Sequence, residues 1–181
     1  GQEYALKNVK CITNEQFDQF KQECIILHSI PSHKHIIKLF AADINSSNLT
    51  INFLFEYCPI TAIGIMSHRL LTHEEIAIFF HAIADATDYL HQQNPPIIHR
   101  DLKPENLLVG LDGYPKLCDF GSSTQKIYEI TDPLNCNSIK DDIERNTTQN
   151  YRAPEMIDFF SNPTLGPKTD IWALGCTLYK L

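Results

Sequence analysis

His99-Arg100-Asp101-Leu102-Lys103-Pro104-Glu105-Asn106 packs two cations, two carboxylates and an amide into eight residues. Six positions fit the pattern H-R-D-L-K-x-x-N. At roughly 5% per residue type, chance supplies such a match on the order of once in 10⁸ positions. Asp119-Phe120-Gly121 begins 18 residues after Asp101, and Ala153-Pro154-Glu155 follows later. Near the start stands Tyr4-Ala5-Leu6-Lys7. Taken singly, Asp101, Asn106 and Asp119 read as turn formers, because Asp and Asn favour turns. Asp101 and Asp119 also admit a paired-carboxylate glycosidase. That reading leaves Lys7, the D-F-G and the A-P-E unaccounted for.

The surrounding chain is ordinary globular material. It has 181 residues, 43% hydrophobic and 20% charged, with 7 Gly and 10 Pro, which excludes a disordered or collagen-like chain. Fifteen Lys and Arg against 22 Asp and Glu leave a net charge of −7, so a nucleic-acid partner is not expected. No apolar run reaches the ~18 residues of a membrane span, so membrane association is at most peripheral. The six cysteines form no C-x-x-C pair and lie partly in apolar segments, which reads as buried thiols in a reducing, cytoplasmic setting. The histidines His28, His33 and His35 are read as packing residues and not as zinc ligands. The chain starts at Gly1 and stops at Leu181 inside an apolar stretch, so it reads as a piece of a longer protein. Such a piece is expected to have little activity alone.

Periodicity predicts a strand over Glu3 to Val9 and a helix over Asn14 to Ile30, with Phe17, Phe20, Cys24 and Leu27 on one stripe. Strands over Ile36 to Asp43 and Leu49 to Tyr57 follow, joined by a turn-prone Asn45-Ser46-Ser47-Asn48. After Cys58-Pro59 helix dominates. Thr72-His73-Glu74-Glu75 reads as a capping box opening a long helix. Residues 97–121 read as loop and short strands with a hairpin at Asp112-Gly113. Residues 122–150 look polar and aperiodic, hence a long mobile segment, and Thr169 to Leu181 reads as a helix buried on nearly every face.

With these motifs in order, the chain resembles the eukaryotic protein kinase family along essentially its whole length. Finer features resemble the Numb-associated kinases: Pro96-Ile97-Ile98, Leu117-Cys118-Asp119-Phe120-Gly121-Ser122, the stretch Glu144 to Tyr151, and Asp170-Ile171-Trp172-Ala173-Leu174-Gly175-Cys176. The resemblance implies an α+β, two-lobed protein-kinase-like fold, truncated at both ends. Residues 1–58 would form a partial N-terminal lobe with the hinge from about 56, and residues 59–181 a partial C-terminal lobe. The family's glycine-rich loop would lie upstream of residue 1.

The resemblance also implies roles, and phosphoryl transfer explains the residue types: charge spread over the γ-oxygens needs cations and in-line positioning. Lys7 would contact the α/β-phosphates of ATP, with Glu23 as its partner; the bland reading of Glu23 is a solvated helix acid. Asp119 and Asn106 would hold Mg2+, a hard cation that prefers oxygen. Asp101 would accept or orient the proton of the attacking hydroxyl, and Lys103 would sit by the γ-phosphate. Ala5 and Leu108 would enclose the adenine, Phe55 would be the bulky gatekeeper, and Glu56, Tyr57 and Cys58 the hinge. Cys118 would line the site. His99, Phe120 and Gly121 would be structural. Arg100 would anchor a phosphorylated activation segment, with Thr131, Ser138, Thr147 and Thr148 as acceptors to weigh, although Thr148 reads better as structural and the resembled subgroup is not known for needing such phosphorylation. The segment from Asp119 to Glu155 spans 37 residues inclusively, which is long. Glu155 would pair with an Arg beyond Leu181. Asp170 would accept amide hydrogen bonds from the catalytic loop.

Together these imply an ATP- and magnesium-dependent serine/threonine kinase domain. The subgroup resemblance adds a role in endocytosis, with a clathrin adaptor medium chain as substrate by analogy. A pseudokinase or scaffold is the rival, and retention of Lys7, Glu23, Asp101, Asn106 and Asp119 weighs against it.

Overall fold

The computed structural model describes residues 1, 3–130, 133–159 and 164–181, without the side chains of 133–135. Thr131 therefore lies outside the described residues. The chain begins with β1 (Tyr4–Lys10), α1 (Asn14–Ser29), β2 (Leu39–Asn45) and β3 (Thr50–Glu56). The three strands form an antiparallel sheet in the order β1-β3-β2. Period-two alternation sends Ile51, Phe53 and Phe55 of β3 inward, where Phe53 and Phe55 stack at 5.7 Å. On β1 the same alternation turns Ala5, Lys7 and Val9 to the less exposed face. Register sets Ala5 opposite Phe55 and Lys7 opposite Phe53.

α1 covers this sheet. Thr13 caps it, its hydroxyl accepting from the Gln16 amide at 3.2 Å, and Phe17, Cys24, Ile26 and Leu27 are buried. β2 begins three residues later than its apolar run predicts. Ile36 and Ile37 pair instead with the second half of the chain: the Ile37 amide donates to Leu117 at 2.9 Å, and the Leu117 amide to His35 at 2.8 Å.

The second half contains β4 (Ile60–Thr61), α2 (Ala62–Met66), α3 (His73–His91), β5 (Leu107–Val109) and β6 (Pro115–Leu117). The capping box at α3 is formed: Glu75 N–H donates to the Thr72 hydroxyl at 3.2 Å, and Thr72 N–H to Glu75 at 2.9 Å. Phe79, Ile83, Ala86 and Leu90 of α3 join one continuous apolar core with Ile26, Phe53, Leu107, Leu117 and Phe120. That core crosses from the sheet to the helices.

Two expectations fail. Residues 122–150 are not an aperiodic mobile stretch, because β7 (Tyr128–Glu129) and the 14-residue α4 (Pro133–Asn146) lie in them. Ile139 and Ile143, one turn apart, bury against Ile130, Ala153, Met156 and Leu165, a second small core, with Cys136 partly buried beside it. β8 (Thr164–Leu165) pairs with β7. The last helix, α5 (Lys168–Lys180), is not buried all round. It buries one face, through Thr169, Asp170, Ala173, Leu174 and Thr177, while Ile171, Trp172, Leu178 and Tyr179 are exposed. Small polar residues take its inner face because the backbone of the His99 to Asn106 stretch approaches there: Thr177 donates to the Leu102 carbonyl at 3.2 Å.

Candidate active site

Lys7 projects from β1 toward α1, and its ammonium meets both Glu23 oxygens, at 2.9 and 3.0 Å. The ammonium also lies 5.2 Å from the ring centres of Phe20 and Phe53. Glu23 is only 1% exposed. Burial pushes its carboxyl up, and Lys7 draws it back only in part. Asp119 acts on the same carboxylate, and a Cβ built on Gly121 would stand 3.3 Å from Asp119 Oδ1 and 3.6 Å from Glu23 Oε2. Lys7, Glu23 and Asp119 are therefore neighbours, with Gly121 as the small residue between the two acids.

Beside Asp119 lies the stretch from His99 to Asn106: the Cys118 amide donates to the Asn106 carbonyl at 3.0 Å. Arg100 has φ +68°, a left-handed conformation that costs a side-chain-bearing residue on the order of 1–3 kcal/mol. Asp170 holds it, with Oδ2 accepting from His99 N–H and Oδ1 from Arg100 N–H, each at 2.8 Å. His91 Nε2 lies 2.9 Å from the same Oδ2. The strained turn leads into Asp101. Lys103 Nζ sits 2.7 Å from Asp101 Oδ2 and donates to the Thr148 hydroxyl at 2.8 Å. Thr148 donates onward to Asp101 Oδ1 at 2.6 Å. Burial pushes the Asp101 carboxyl up, but Lys103 and Thr148 win and hold it below the ordinary aspartate range. Asp101 is thus ionised at neutral pH.

The Lys103→Met variant exposes that balance. Without the ammonium less opposes the burial effect, so the Asp101 carboxyl is expected to rise, and an acid limb that it sets in a pH profile to move to higher pH. An unmoved limb would show that Lys103 does not set the charge on Asp101.

Asn106 donates its Nδ2 to the Asp101 carbonyl at 2.8 Å and to Asp101 Oδ2 at 3.1 Å. Among the described residues no hydrogen bond takes its side-chain amide oxygen. Asp119 has φ +63°, and its Oδ1 accepts from Gly121 N–H at 3.4 Å. An amide oxygen and a carboxylate here suit a hard divalent cation. Phe120 is fully buried, edge-on to His99 at 5.0 Å. Burial pushes the His99 imidazole pKa down, so the ring is a neutral packing group.

Ala5 and Leu108 are partly buried against the same core as Phe55. Phe55 is buried and stacked on Phe53 at 5.7 Å. Glu56 is fixed on both sides: its Oε1 accepts from Lys38 N–H at 2.6 Å and its Oε2 lies 3.3 Å from Lys116 Nζ. Among the described residues no backbone partner takes the Cys58 amide. Burial pushes the Cys58 thiol up to about 11 and the Cys118 thiol up to about 12, so neither is an activated nucleophile. Tyr57 is exposed, and Glu155 sits half-buried in the Pro154–Met156 turn.

Two residues escaped the sequence reading. Lys116, 5% exposed, ties Glu56 to Asp112 at 3.0 Å and to the Lys34 carbonyl at 3.1 Å. Asp142 on α4 meets the Arg100 guanidinium at 2.5 Å. The available signal was Cys136, Ile139 and Ile143, spaced three and four apart, which marks α4 as a helix and puts Asp142 beside its buried stripe.

The protein kinase domain profile matches residues 1–181. The chain is 41% identical over 189 aligned positions to a protein named "Probable serine/threonine-protein kinase" of Dictyostelium discoideum, covering 98% of this chain and 17% of that protein. It is 38% identical to serine/threonine-protein kinase sel-5 of Caenorhabditis elegans, covering 98% of this chain and 18% of the relative. A second Dictyostelium protein with the same "Probable serine/threonine-protein kinase" description is 37% identical, covering 98% and 23%. The chain thus spans about a fifth of the length of the curated relatives it matches.

Proposed function

Because the chain belongs to the protein kinase family, we propose that the protein carrying it transfers the γ-phosphoryl group of ATP to a serine or threonine hydroxyl of a protein substrate. The observation that carries this reading is the Lys7–Glu23 pair, with Asp119 acting on the same carboxylate, beside a loop in which Lys103 and Thr148 hold Asp101 and the Asn106 carbonyl accepts from Cys118 N–H at 3.0 Å. In this reading residues 1–58 and 59–181 act as the two lobes, and the change from sheet to helix near Pro59 supports the division.

Each residue then has a task. Lys7, aimed by Glu23, binds the α/β-phosphates. Ala5, Phe55 and Leu108 enclose the adenine, and the Glu56-Tyr57-Cys58 backbone hydrogen-bonds it. Asn106 and Asp119 would hold Mg2+ through oxygen. When bound, Mg2+ offsets phosphate charge. Asp101, kept ionised by Lys103 and Thr148, accepts the hydrogen bond of the substrate hydroxyl and orients its oxygen for attack. Lys103 places positive charge where the γ-oxygens gather it. Asp170 holds the loop's strained turn, and Gly121 gives Asp119 and Glu23 room to approach.

Lys103, with Thr148 three residues before Tyr151, resembles serine/threonine kinases rather than tyrosine kinases, and the two side chains are hydrogen-bonded at 2.8 Å. The sequence stretches noted above support membership of the Numb-associated group. By analogy with that group, the work is cytoplasmic and endocytic, on a clathrin adaptor medium chain. The test is direct. The full-length protein with labelled ATP and Mg2+ is expected to label threonine and serine peptides and not a tyrosine peptide. No transfer to any hydroxyl peptide or adaptor chain would overturn the enzyme reading.

A further inference from the structure

Lys7 stands where a strand and a helix meet. Register sets it directly opposite Phe53 on β3, so the two are cross-strand neighbours. On α1, Phe20 and Glu23 are three residues apart, so both project from the same side of the helix. The ammonium therefore meets one carboxylate and two aromatic rings. It lies over both rings, 5.2 Å from each centre, within the ~6 Å at which the negative face of a ring attracts a cation.

The two kinds of partner act differently. An ammonium carries three N–H groups. Glu23 engages it through both oxygens, at 2.9 and 3.0 Å. A second carboxylate would compete with phosphate for the same charge. A ring face attracts the charge without cancelling it, so it adds grip and leaves the cation available to an anion. A ring quadrupole also does not titrate, whereas burial pushes the Glu23 carboxyl up toward protonation. Phe53 is fully buried and stacks on Phe55 with the ring planes 10° apart, so its ring is fixed. Phe20 is partly buried against the same core. One ring of the pair thus belongs to the sheet and the other to α1, with the Lys7 charge between them.

We propose that Phe20 and Phe53 form an aromatic clamp on Lys7, and that Phe20 is a positioning residue that holds the ammonium between α1 and the sheet for phosphate binding. This rests on the kinase reading above and adds how its phosphate-binding charge is aimed. Ordinary apolar packing of Phe20 is the rival. The two differ in whether the electrons of the ring matter.

The full-length protein is made with Phe20 replaced by phenylalanines carrying one, two, three and five ring fluorines, and KM for ATP is measured. Fluorine drains the negative face of the ring while leaving its size and apolar character nearly unchanged. KM is expected to rise stepwise along the series, to about threefold with the fully fluorinated ring, the scale of a cation–ring contact that is partly exposed. The Lys7 side chain is 36% exposed. F20L, which keeps apolar bulk but has no ring, is expected to match the fully fluorinated protein. In a Lys7→Met background the same series is expected to be flat, because methionine carries no charge. The clamp is overturned if KM does not follow the fluorine count, or if the same slope persists in the Lys7→Met background. The fluorinated rings keep the shape of Phe20, so a misfolded F20L does not blunt the test. If wild type transfers no phosphate, or Lys7→Met matches it, the kinase reading has failed and the clamp falls with it. If wild type is active, Lys7→Met is impaired and the series is flat, the clamp alone has failed.

Discussion

Lys7→Met is expected to lower phosphoryl transfer by about 10²–10³-fold, the usual loss when one fixed electrostatic partner of the reacting group is removed. Methionine keeps the stem that packs between Phe20 and Phe53, so the loss is one of charge. A second signature sits on Glu23. Its carboxyl is already pushed up by burial and restrained by Lys7. Without the ammonium it rises further. The native state then holds a proton that the unfolded chain has given up. Such a group is harmless below its unfolded pKa and destabilises progressively as pH rises to its folded pKa. The stability deficit of the variant should therefore grow as pH rises above the ordinary glutamate pKa, read from urea midpoints. A variant within threefold of wild-type rate, or a deficit independent of pH, would refute the pairing.

Asp170→Ala is expected to lower stability by about 2–4 kcal/mol, since each orphaned buried polar group costs about 1–3 kcal/mol. Two backbone amides, of His99 and Arg100, lose their acceptors together. Nothing then holds Arg100 at φ +68°, and its turn is free to relax. Asp101 moves with it, so the rate falls as well. Asp170→Asn keeps one oxygen acceptor and should lose less on both counts. Equal stability of the alanine variant and wild type in urea unfolding would show that the loop does not depend on this carboxylate.

The site was legible wherever its chemistry demands particular residue types. Lys7, Asp101, Asn106 and Asp119 are read from motifs, and Glu23 from its place on a predicted helix. Thr72 announced α3 because a capping box is local. α4 was hidden for the opposite reason. Its buried stripe is short, its other faces are polar, and its stability comes from Ala153, Met156 and Leu165, which lie after it in the chain. α5 misled because its exposed Ile171, Trp172 and Tyr179 look like core residues, while its buried Thr169, Asp170 and Thr177 do not. Hydrophobic pattern records what can be buried. It does not record which face a neighbouring backbone claims. Ile36 and Ile37 make the same point, for their apolar run is split between two sheets.

The pairing of Ile37 and His35 with Leu117 has a mechanical consequence. The chain crosses between its two halves at Tyr57-Cys58-Pro59, and this strap of backbone bonds is a second fastening. A body pinned at two points swings like a door about the line through them. It resists skewing. Any relative movement of the two halves is thereby guided toward one rotation about that line.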